Sequence, residues 1–230
     1  MKIHMRGAIW ALLLLLVLGA FWQFSRINGG DGIVTGKSWM GKVNEGKIEI
    51  ASEAKAQWEA QLAVAKASYL AGEKKDMGVL QNIAVLNQSL GHYAAAREAI
   101  EMLLEQNKIN DGAWVIAGDI AQNMEDWNAA EKNYLKAIEL GGLNQQLLTK
   151  VEQLWRTQFP KKIEKIKGLY EAAIAYDGQK KFYLIGLGRW YAEQGNFVEA
   201  ASHLKVALTL DPKNEDLKKE WMDYEQKAGN

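Results

Sequence analysis

Apolar and polar positions fall into three regimes along this chain. Residues 7–24, GAIWALLLLLVLGAFWQF, are apolar almost throughout and carry no charge. A helix of that length rises about 27 Å, close to the ~30 Å thickness of a bilayer's hydrocarbon core. Residues 26–50 have no period and are punctuated by Gly29, Gly30, Gly32, Gly36, Gly41 and Gly46. From residue 51 onward apolar residues recur at steps of three and four, which predicts amphipathic helices to the C-terminus.

The first regime reads as an N-terminal transmembrane helix, residues 1–25. Trp10 lies near one end of the run and Phe21 and Trp22 at the other, where aromatic rings favour the membrane–water boundary. Lys2, His4 and Arg6 precede it, so the positive-inside rule keeps the N-terminus cytoplasmic and places everything after Arg26 across the membrane. A cleaved signal peptide is the alternative, giving a secreted protein. Leu18-Gly19-Ala20 is its cleavage candidate, but Leu is not the small residue preferred there, and Phe21-Trp22 extends the run beyond it. The uncleaved anchor is the preferred reading.

In the second regime, GDGIVTGKS (30–38) imitates a phosphate-binding loop. Such a loop needs Gly, four residues, then Gly-Lys-Ser/Thr. The first glycine would fall at position 31, which is Asp31, so the spacing fails and a carboxylate replaces the glycine. No buried strand precedes the segment, and Gly41 and Gly46 break any helix that would follow it. No nucleotide is expected. Residues 26–50 read as a flexible tether, with a short strand or hairpin near Lys47–Ile50.

The third regime is periodic on a longer scale. Trp58, Leu62, Ala65 and Tyr69 form one stripe, marking an N-terminal capping helix within 51–76 that closes at Gly72. LGHYAAAREAIEMLL (90–104), MEDWNAAEKNYLKAI (124–138) and QGNFVEAASHLKVAL (194–208) then align without gaps. Tyr93, Trp127 and Phe197 share one column, and Ala96, Ala130 and Ala200 another. Tyr93 to Trp127 is a period of 34 residues, the length of a helix–turn–helix repeat. The units are 77–110, 111–144, 145–180 and 181–214. Unit 145–180 is two residues longer and degenerate, with two helices joined at Phe159-Pro160. Unit 77–110 departs by Asn87 in an aromatic column and Leu103 in a small one. Leu217, Trp221 and Tyr224 predict a C-terminal capping helix in 215–230, with Lys218, Lys219, Glu220 and Asp223 facing water.

Unit 181–214 resembles the tetratricopeptide repeat family most fully. Leu184, Leu187, Gly188 and Tyr191 match its first helix, Gly195 and Phe197 its turn, and Ala200, Leu204, Ala207 and Pro212 the remainder. Small Gly188, Ala200 and Ala207 allow two backbones to approach, and Pro212 ends the helix. The implied fold is all-α: a transmembrane helix followed by an α-solenoid of stacked helix–turn–helix repeats. In this family the groove is lined mainly by first helices. By position that gives Gln81, Val85, Gln88 and Ser89, then Val115, Asp119, Gln122 and Asn123, then Phe182, Ile185, Arg189 and Glu193. A chaperone-tail clamp is not expected, because its Lys and Asn positions hold Gln81, Val85 and Ile116. The resemblance implies a scaffold or adaptor whose groove holds a peptide or helix of a protein partner. Single-anchor proteins of this layout assist cytochrome c maturation, secretion or pilus assembly. A glycan- or lipid-binding module is the alternative, resting on Trp39 and the basic run Lys161, Lys162, Lys165 and Lys167.

Composition narrows the chemistry. Without cysteine there is no disulfide, thiolate metal site, cysteine nucleophile or N-terminal lipid anchor on Cys. Formal charge is zero, and no concentrated basic face suggests nucleic acid. The three histidines, His4, His92 and His203, are not at metal-ligand spacing, and no serine sits in a nucleophile elbow. No enzyme, metal or cofactor is expected.

Overall fold

The computed structural model describes residues 49–71 and 76–229. The apolar run 7–24, the glycine-rich segment to residue 48 and Gly72 lie outside these residues. Among the described residues no helix is long and apolar enough to cross a membrane. Of the strand expected near Lys47–Ile50, the described Glu49 and Ile50 are not in a strand; Ile50 packs on the first core instead.

Ten α-helices follow in order among the described residues. They are α1 (Ser52–Leu70), α2 (Met77–Ser89), α3 (Tyr93–Gln106), α4 (Asp111–Asn123), α5 (Trp127–Glu139), α6 (Gln145–Gln158), α7 (Ile166–Asp177), α8 (Lys181–Glu193), α9 (Phe197–Leu210) and α10 (Glu215–Ala228). The pairs α2/α3, α4/α5 and α8/α9 are tight antiparallel hairpins. Their starts recur with the sequence period because the capping chemistry does. Asp76, Asn110, Asn144 and Asn214 each accept a backbone N–H of the first turn of α2, α4, α6 and α10. Lys180 occupies the corresponding position before α8 and offers no side-chain cap.

The hairpin turns share one geometry. The N–H groups of His92, Asp126 and Asn196 bond back to the carbonyls of Asn87, Ala121 and Tyr191 at 2.8–2.9 Å. This closure needs a left-handed residue just before, and Gly91 (φ 79°) and Gly195 (φ 76°) supply it. Glu125 fills that column in the central repeat and holds φ 57° with a side chain.

The small column is fully buried: Ala96, Ala130 and Ala200 are each 0% exposed. Between the helices, three glycines make room for large side chains. A β-carbon on Gly118 would lie 2.3 Å from the Tyr134 ring, one on Gly186 2.1 Å from Tyr170, and one on Gly188 2.3 Å from Leu204. Three apolar clusters result, from α1 to α4, from α4 to α8, and from α8 to α10. In the first, Asn87 is buried in place of an aromatic residue and donates to the Ile83 carbonyl (2.8 Å), so its amide is satisfied within the helix.

Unit 145–180 departs from the two-helix expectation. Pro160 does not open the second helix directly. It starts a 3₁₀ segment, Pro160–Lys165, and α7 begins at Ile166. The inserted segment opens the hairpin: α7 packs mainly on α8, while α6 leans on α5 and on the 3₁₀ turn.

Relieving the strain at Glu125 gives a direct test. Glu125→Gly is expected to raise the unfolding free energy by about 1 kcal/mol, the cost of a left-handed side-chain residue less the entropy of an added glycine. Urea denaturation of the two proteins side by side measures it.

Candidate partner-binding face

From α4 to α10 the first helices are tied to one another by charge. Lys150 on α6 donates to Asp119 on α4 at 2.7 Å. Arg156 on α6 bonds Glu193 on α8 at 2.8 Å and, on its own helix, Glu152 at 2.8 Å. Arg189 on α8 makes a bidentate pair with Glu220 on α10, both bonds at 2.7 Å. Two buried tyrosines feed this row from below. The Tyr134 hydroxyl donates to Asp119 (2.6 Å) and lies 2.9 Å from Gln122 Oε1, and the Tyr170 hydroxyl donates to Glu152. Burial, and then these carboxylates, push both phenols well above their ordinary pKa.

This geometry sorts the positions expected to line the groove. Gln81, Val85 and Asn123 are exposed, and Gln88 and Ser89 half-buried. Asp119 and Gln122 are held by Tyr134, and Arg189 and Glu193 by neighbouring repeats. Val115, Phe182 and Ile185 are half-buried against the core clusters, with Phe182 6.2 Å from Tyr170 between ring centroids. The charged candidates therefore join repeat to repeat. Lys150, Glu152 and Arg156 complete the row, and sequence reasoning passed over them because their unit matches the pattern least. Glu220 was expected to face water; instead its carboxylate turns to Arg189 and accepts from Tyr224 (3.1 Å).

The basic run divides. Lys162 reaches Glu131, which is 8% exposed, at 2.5 Å, and the same carboxylate accepts the Trp155 indole N–H at 2.7 Å. Lys167 bonds Glu171 on its own helix. Lys161 and Lys165 are exposed. Glu131 is thus a buried carboxylate that holds the 3₁₀ segment against α5.

His92 is exposed at the start of α3, and His203 stacks on Tyr191 with centroids 5.5 Å apart and planes 9° apart. Burial depresses the His203 pKa. Among the described residues no three His, Asp or Glu side chains converge as a metal set. A cleft of about 530 Å³ lies between α1 and α2, with Val64, Ser68, Val79 and Asn82 among its walls.

Family models of the tetratricopeptide repeat match residues 112–140 and 181–214, so these two units are tetratricopeptide repeats. No curated protein matches the chain. Among solved structures, that of MamA is 17% identical over 74% of this chain and 99% of its own, with a TM-score of 0.56. A second MamA structure is 18% identical over 71% and 88%, with a TM-score of 0.54. YrrB, a tetratricopeptide protein with an unusual peptide-binding site, is 18% identical over 71% and 86%, with a TM-score of 0.51. These likenesses show a shared repeat fold.

Two predictions follow from the charges. Lys162→Met leaves Glu131 buried without its cation and is expected to cost ~2–3 kcal/mol, with Glu131→Gln in the same chain recovering part of it. Urea denaturation of the single and double variants measures both. Arg189 holds the Glu220 carboxyl below its ordinary range, so the folded state binds fewer protons there than the unfolded one. The stability it contributes is present above the unfolded pKa and is lost as pH falls through the depressed folded value. For a pair this exposed the loss is about 0.5–1 kcal/mol. Stability followed from pH 6 down to pH 3 should fall further in the wild type than in Glu220→Gln.

Proposed function

We propose that this chain is a non-enzymatic scaffold whose first-helix face holds a peptide or helix of a partner protein. The observation that carries it is the division of that face. Its charges are spent between repeats, while amide and apolar side chains at Gln81, Val85 and Asn123 stay exposed beside them. A surface whose cations and anions neutralise one another suits a partner with few charges, recognised by side-chain amides and apolar contacts. The likeness to a repeat protein with a peptide-binding site supports a peptide class of partner.

The membrane part of the proposal rests on the sequence. The uncharged run 7–24, with basic residues before it and aromatic residues at its ends, would hold the scaffold as a single-pass protein with its repeats on the extracytoplasmic side. There it would serve assembly of envelope complexes of the cytochrome c maturation, secretion or pilus type. The alternative of a glycan- or lipid-binding module keeps less support, since Lys162 and Lys167 already serve carboxylates of this chain.

The test is crosslinking of the full-length protein in native membranes, read by mass spectrometry. The comparison variant carries Gln81→Arg, Val85→Glu and Asn123→Arg, all exposed and outside the inter-repeat pairs, so the fold is left intact. A defined protein set with the wild type that disappears with the variant is the expected result. Equal profiles would overturn the assignment of this face.

A further inference from the structure

The two ends of the helical stack are finished differently. On α10 the side away from the core carries Glu215, Lys219 and Gln226, with Met222 the one large apolar residue among them. That is the polar outer face a terminal helix needs. On α1, Leu62 and Ala65 are buried and Trp58 and Tyr69 pack beside them. The opposite side of α1 is also apolar. Ala56, Ala60, Ala63 and Ala67 are exposed, and so is Leu70 (76%), while Val64 (68% exposed) stands at the edge of this face where it borders the cleft with α2. A helix with apolar residues on two opposed faces is built to be covered on both.

The spacing of the outer face says what geometry covers it. Steps of four, three and four put Ala56 and Ala63 at d positions of a heptad and Ala60 and Ala67 at a positions. The flanking g positions are then Glu59 and Lys66, and the e positions Gln57 and Val64. In a parallel pair, g faces e, so Glu59 would meet Val64 and no charge is matched. In an antiparallel pair, g faces g. A two-fold axis between Gln61 and Leu62 then sets Ala60 opposite Ala63, Ala56 opposite Ala67, and Glu59 beside Lys66, each pairing made twice. Among the described residues Glu59 reaches only Lys55, at 3.9 Å on an exposed surface, and Lys66 has no ion-pair partner.

We propose that the outer face of α1 docks on the same face of a second copy of this chain, antiparallel, with Glu59 and Lys66 exchanging across the two-fold axis. The interface is isologous, so it closes at a dimer. Alanine at both core positions lets the backbones approach closely. The seam is only two heptads long, so the dimer is a modest one. The heptad charges make the helix complementary to itself in this one direction.

The chain has no cysteine, which makes the register directly testable. Full-length single-cysteine variants in detergent micelles are mixed in equal amounts and oxidised, with different affinity tags marking the two partners. Disulfides form only when α-carbons come within ~7 Å, so the mixture of Ala60→Cys with Ala63→Cys should crosslink roughly tenfold more than Ala56→Cys alone, whose copies lie far apart along the seam. Glu59→Lys should abolish that signal, and Glu59→Lys with Lys66→Glu should restore it. All these positions are exposed, so folding is not at stake, and circular dichroism verifies it. Equal crosslinking from Met222→Cys on α10 would mean collision through the N-terminal segment and would overturn the proposal. So would stronger crosslinking of Ala60→Cys with itself, a mark of parallel pairing, or no crosslink at any position of α1.

Discussion

Tyr134 fits over Gly118 because nothing larger than a hydrogen leaves room for its ring. That one contact fixes the distance between the helices of the central hairpin. It also aims the phenol oxygen at Asp119, which in turn anchors Lys150 of the following repeat. The arrangement recurs one repeat later with different residues. Tyr170 sits over Gly186, its hydroxyl reaches Glu152, and Glu152 with Glu193 grips Arg156. Core packing and surface charge are thus not separate layers in this molecule. The same tyrosines that fill the interior set the register of the charged row on the first helices.

This coupling explains why the irregular unit is tolerated. In 145–180 the 3₁₀ segment opens the hairpin, and α7 loses most of its packing on α6. The contact is replaced twice over. Tyr170 ties α7 to both α6 and α8, and the Glu131 carboxylate holds Trp155 and Lys162 against α5. A buried carboxylate is costly unless fully bonded, and here an indole N–H and an ammonium both serve it. Stability in a stacked array is a sum of neighbour contacts, so a local insertion disturbs only its own interfaces.

The division of charges also shapes what the first-helix face can do. Paired charges give shape and rigidity to a surface but offer little long-range attraction to a partner. In the proposed scaffold, the exposed amides and the half-buried Phe182 and Ile185 would be the groups left to discriminate. Recognition on such a face, as proposed, would depend on close fit, with weak dependence on ionic strength.

Much of the fold was legible in the sequence. The 34-residue spacing of Tyr93 and Trp127, the Ala96, Ala130 and Ala200 column, and the stripe from Trp58 to Tyr69 each follow from local helix geometry, which a one-dimensional pattern encodes. Glu125 was legible in the same way, standing in the column of Gly91 and Gly195. The partners of the charges were not. Asp119 with Lys150, Arg156 with Glu193, Glu131 with Lys162 and Arg189 with Glu220 are separated by 31 to 37 residues. Which of several nearby lysines or glutamates meets which depends on side-chain reach across a helix interface. That reach was set by a tyrosine over a glycine and by an inserted 3₁₀ turn, neither of which has a period. The sequence by itself determined where helices form and which faces they bury; only the tertiary structure decided which polar groups meet one another and which stay exposed.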